Sequence, residues 1–137
     1  MGAHPQIDVE ALLADVTRGE ASALDFCRGF FAFAHLADDV IDKQVKERWT
    51  MPQFSNACLA FAAVLGLSGF FQTHKAYLLP LIEVATIAYL ESEETADPAL
   101  KRFLATEYFV VLLGVARIVG GWDHAREISA TWGFARE

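Results

Sequence analysis

Apolar residues recur along this chain at intervals of three and four, the spacing that gathers them on one stripe of a helix. Val9, Leu12, Leu13 and Val16 form the first such stripe and, with Gly19 as a stop, predict a short amphipathic helix from about Asp8 to Arg18. Ser22 with Asp25 three residues on has the form of a capping box, and from there the pattern runs uninterrupted to about Lys46. Thr50 with Gln53 repeats the signature, Pro52 lies in the first turn, and the apolar run Ala57 to Leu65 ends at Gly66. After the Gly66-Leu67-Ser68-Gly69 turn, Phe70 to about Glu94 again reads as helix, which Pro80 must either kink or divide. Asp97-Pro98 joins an N-cap acid to a proline at the first helical position. The helix it starts should run to Val119, before Gly120-Gly121 ends it and Asp123 caps a short terminal helix. β-branched residues occur singly rather than in alternating runs, so strands are not expected. The expected fold is all-α, a bundle of five or six helices.

Composition narrows this picture. A chain of 137 residues is expected to form a single helical domain spanning 1–137. With 54% hydrophobic and 21% charged residues, and no low-complexity tract, disorder is excluded. The net charge of −7 comes without a Lys/Arg cluster, which excludes free nucleic acid and anionic membrane surfaces as partners. Trp49 to Thr73 holds no Asp, Glu, Lys or Arg, yet Pro52, Gln53, Asn56, Gly66 and Gly69 punctuate it, so no membrane span is expected. Met1 to Gln6 shows neither a basic nor an apolar export signal. Cys27 and Cys58 lie in apolar runs without metal-ligand spacing and are expected to be buried reduced thiols. The compartment these features suggest is cytoplasmic.

Chemistry concentrates on the second helix. At about 100° per residue, His35, Asp38, Asp39 and Asp42 fall within an arc of about 100°. Three carboxylates on one stripe suit Mg²⁺ or Mn²⁺, hard cations that take oxygen ligands together with water and phosphate. Like charges at i and i+4, such as Asp38 and Asp42, also repel unless something neutralises them. The alternative is an ordinary solvated face, because Phe26, Phe30, Phe33, Leu36, Val40 and Ile41 form an apolar band on the opposite side. Glu83 and Glu107, each isolated in an apolar run, are candidates for a second helix's contribution to a metal site. Glu107 could instead reach solvent or Arg102, and Glu83 could pair with a basic residue such as Arg117.

Asp38-Asp39-Val40-Ile41-Asp42 resembles the DDxxD motif of the trans-isoprenyl diphosphate and terpene synthases. That resemblance implies Mg²⁺ ligation by Asp38, Asp39 and Asp42 and a diphosphate substrate. The chain has no second DDxxD motif and no set of basic residues placed to grip a diphosphate. It is similar in size and type to the all-α nucleoside triphosphate pyrophosphatases, which surround Mg²⁺ with acids from neighbouring helices. Two functions are therefore expected to compete. One is a Mg²⁺- or Mn²⁺-dependent protein that binds or hydrolyses a diphosphate or nucleotide, with His35 as the catalytic proton carrier. The other is a non-catalytic helical interaction protein that acts as a homodimer or adaptor. Homo-oligomerisation fits both.

Overall fold

A computed structural model describes residues 8–41, 45–99 and 108–132. The chain is all-α. Among the described residues, its helices of four residues or more are α1 (Val9–Thr17), α2 (Ala21–Ile41), α3 (Val45–Arg48), α4 (Met51–Leu67), α5 (Gly69–Glu94) and α6 (Tyr108–Trp132). They divide between two compact units, one formed by residues 1–20 and 74–137 and the other by residues 21–73.

In the first unit, α1 packs on α6. Asp8 caps α1, its Oδ1 accepting from Ala11 N at 3.1 Å. The helix stops where Arg18 and Gly19 turn left-handed, at φ 52° and 73°. Leu12, Leu13 and Val16 are buried, as are Val111, Leu112 and Val115 of α6. Burying a Leu or Val side chain contributes roughly 1.5–3 kcal/mol, which holds a helix too short to persist alone. Two side-chain bonds join the pair at specific points. Buried His124 donates from Nε2 to the Val16 carbonyl at 3.0 Å, and Trp132 Nε1 donates to Asp15 Oδ2 at 3.1 Å. The Val16 carbonyl stands in the last turn of α1, where no intrahelical donor exists, so His124 satisfies an acceptor that would otherwise be buried without a partner.

The stop expected at Gly120-Gly121 is present as a break inside α6. Gly121 adopts φ 86°, ψ −173°, a conformation open in practice only to glycine. The start expected at Asp97-Pro98 is also present, Asp97 Oδ1 accepting from Ala99 N at 3.0 Å. α5 continues through Pro80, whose ring removes the donor for the Ala76 carbonyl; both residues are exposed.

In the second unit, α4 packs against α2. Gly29 brings the helices close, because a Cβ there would lie 2.5 Å from Val64 Cγ2. Beside this approach Phe33 stacks on Phe61 with ring centroids 4.0 Å apart. Fully buried Phe26 stacks on Phe71 at 5.7 Å and meets Phe70 at 5.9 Å. The capping box at Thr50 forms as expected: Thr50 Oγ1 accepts from Gln53 N, and Gln53 Oε1 accepts from Thr50 N. Ser68 stands between α4 and α5; its N–H donates to the Val64 carbonyl and its Oγ accepts from Phe71 N at 3.1 Å.

Candidate functional site

α2 places His35, Asp38 and Asp39 in its last turns, and their surroundings differ. Asp39 is buried, with 6% of the residue accessible, although it stands on the acidic stripe of the helix. The covering comes from the chain returning after α2. Arg48 Nη1 donates to Asp39 Oδ1 at 3.0 Å, and Trp49 Nε1 donates to Asp39 Oδ2 at 2.5 Å. Each carboxylate oxygen thus has a donor, one cationic and one neutral. Arg48 keeps 58% of its side chain in solvent, so the ion pair is screened.

Such an arrangement works as a clamp between the end of α2 and the start of α4. Chemically, a carboxylate already accepting from Arg48 and Trp49 offers a divalent ion only its remaining lone pairs. For the carboxylate to serve as a full ligand, those two donors would have to withdraw. Beside the clamp lies an open depression of about 390 Å³ lined by Arg48, Trp49, Gln53 and Asn56, which presents a cation and two amides but no carboxylate.

His35 is exposed and packs edge-on against Phe31, with ring centroids 4.9 Å apart. Asp38 belongs to α2, but its side chain, like all of Asp42 and Glu107, lies outside the described residues. Glu83 is exposed on α5, in the other unit from the acidic face, and forms no ion pair with Arg117. Among the described residues, no three His, Cys, Asp or Glu side chains converge in a way that could hold a metal ion.

The expectation of two buried thiols is half corrected. Cys27 is buried on α2, and desolvation pushes its thiol up to about 12; Cys58 is exposed on the outer side of α4. The Ala57–Leu65 run reads as core throughout, yet among the described residues α4 packs broadly on α2, and its other side is exposed.

Sequence reasoning missed Arg48 and Trp49 as the partners of Asp39. The available signal was an Arg-Trp pair placed just before the Thr50 capping box, where the chain must turn back beside the end of the acidic helix.

Comparison of the chain with protein-family models, curated proteins and solved structures gives no match. Among the described residues, no single helix is long and apolar enough to cross a membrane.

Proposed function

We propose that the protein is a non-catalytic helical interaction protein that pairs with a second copy of itself through the outer face of α4. One observation carries this reading. At about 100° per residue, the residues of α4 that turn inward (Phe54, Ala57, Phe61, Val64 and Leu65) fill an arc of only about 100°. The rest of the helix is exposed, and it carries no charge. Met51 is 72% accessible, Leu59 68% and Leu67 85%, with Ala62, Ala63 and Gly66 exposed between them. A helix that is apolar all round is ordinarily covered all round, whereas α4, apolar all round from Ala57 to Leu67, is covered on one side.

Charge favours a second copy over a different partner. At −7 per chain, two copies repel wherever their charged surfaces meet. The stretch from Trp49 to Thr73 contains no Asp, Glu, Lys or Arg, so two α4 faces can approach without bringing like charges together. Antiparallel pairing about a two-fold axis sets each Leu59 near the centre, and the small side chains at Ala63 and Gly66 let the backbones close up.

Light scattering at micromolar concentration and physiological salt tests this. The wild type is expected to be a dimer with or without EDTA, and Leu59→Glu/Ala63→Glu a monomer of unchanged helicity. A wild type that is strictly monomeric under these conditions removes the reading. The divalent-cation reading of the acidic face, with a phosphate-containing ligand, expects something different. It requires a Mg²⁺- or Mn²⁺-dependent rise in melting temperature that Asp38→Ala/Asp42→Ala abolishes.

A further inference from the structure

The unit built from α1, α6 and the later part of α5 contains a cleft of about 280 Å³, close to the lower end of the range for small-molecule sites. Its walls are apolar: Leu81 from α5, Val110 and Leu113 from the first part of α6, and Trp122 from beyond the break. Gly114 forms part of the floor, where a Cβ would lie 2.5 Å from Leu81 Cδ1. The break at Gly121 is what allows the two halves of α6 to supply separate walls, and Trp122, the next residue, is 67% accessible.

Arg117 and Arg126 also line this cleft. Both are exposed, and neither makes a hydrogen bond or an ion pair among the described residues, although Asp123 stands only three positions from Arg126. Among the described residues both guanidinium groups lack a carboxylate partner, in a chain with 18 acidic and 11 basic residues. Surface arginines in an acidic protein have many possible partners. Here two border one apolar hollow.

We infer that this cleft binds an apolar carboxylate, its hydrocarbon part lying between Leu81, Leu113 and Trp122 and its anionic head at Arg117 and Arg126. Guanidinium is planar and weakly hydrated for a cation, and it meets carboxylate oxygens in pairs, so it suits an anion at the mouth of an apolar space. The volume has room for roughly nine water-sized groups of about 30 Å³ each, which matches a carboxylate of medium chain length. A neutral ligand of the same length would leave the arginines without a counter-charge, and a cationic one would be repelled.

Octanoate, octanol and octylammonium are the probes, followed by Trp fluorescence and by melting temperature. Octanoate is expected to bind at least tenfold more tightly than octanol, with octylammonium weakest. Arg117→Gln/Arg126→Gln, at two exposed positions that should leave folding intact, is expected to erase the preference for octanoate. Ala125→Phe, which fills the cleft from its lining, is expected to abolish binding of all three while helicity by circular dichroism stays unchanged. The inference is overturned if octanoate binds no better than octanol, or if the double Gln variant keeps the wild-type preference. It is equally overturned if none of the probes binds the wild type.

Discussion

Replacing Asp39 by Ala separates the two roles that its neighbourhood suggests. The carboxylate accepts from Trp49 Nε1 at 2.5 Å and from Arg48 Nη1 at 3.0 Å, with only 9% of its side chain accessible. A hydrogen bond to a charged group contributes about 1.5–3 kcal/mol. The Arg48 pair, more than half exposed, adds only about 0.2–1 kcal/mol. Removing one acid from an acidic stripe and adding a good helix former returns about 0.5–1 kcal/mol. The balance is a loss of about 2 kcal/mol, which lowers the melting temperature of a chain this size by about 6–8 °C. Thermal unfolding by circular dichroism, with and without millimolar Mg²⁺, is the assay, and Trp49→Phe in a double-mutant cycle apportions the indole bond. The clamp requires equal destabilisation in both conditions and a coupling above about 1 kcal/mol between Asp39 and Trp49. If Asp39→Ala instead melts at or above the wild type in EDTA and loses a Mg²⁺-dependent shift the wild type shows, Asp39 is a cation ligand and the clamp argument fails.

Two further predictions concern single residues. Thiol reagents at pH 8 should modify Cys58 quickly and Cys27 only on unfolding, because a thiol pushed up to about 12 is ionised in roughly one molecule in ten thousand. A raised native pKa means that the folded state holds its proton longer. Relative to Cys27→Ala, stability should therefore be level below pH 9 and fall between pH 9 and 12 as the unfolded thiol ionises first; a parallel pair of pH profiles refutes this. Gly121→Ala should cost about 1–3 kcal/mol in chemical denaturation, since φ 86° with ψ −173° excludes a Cβ, and an unchanged midpoint would show that the break can straighten without penalty.

The helices were legible from the sequence because their signals are local. Asp8, Thr50 and Asp97 cap as their spacing indicates, and the Gly120-Gly121 stop acts through the backbone angles of Gly121. What the sequence left hidden depended on which segment lies across which. The periodicity places Val40 in the apolar band and Asp39 on the acidic face, yet Val40 is 49% accessible, and Asp39 only 6%, since Arg48 and Trp49 return over the acidic side. No helical wheel contains that information. Likewise, the apolar run in α4 looks the same whether one face or both are covered, and the cleft of α6 joins Leu81 to residues some thirty to forty-five positions later.

Ser68 has a consequence for how this chain can change over time. One residue closes α4 with its N–H and opens α5 with its hydroxyl, leaving no spare length between two long helices. An insertion here cannot be absorbed as loop. It must unwind a turn on one side or rotate one helix by about 100° relative to its partners, exchanging its packed stripe for its outer one. Length variation should therefore be tolerated elsewhere, and the Leu67-Ser68-Gly69 junction should be among the places least able to gain or lose a residue.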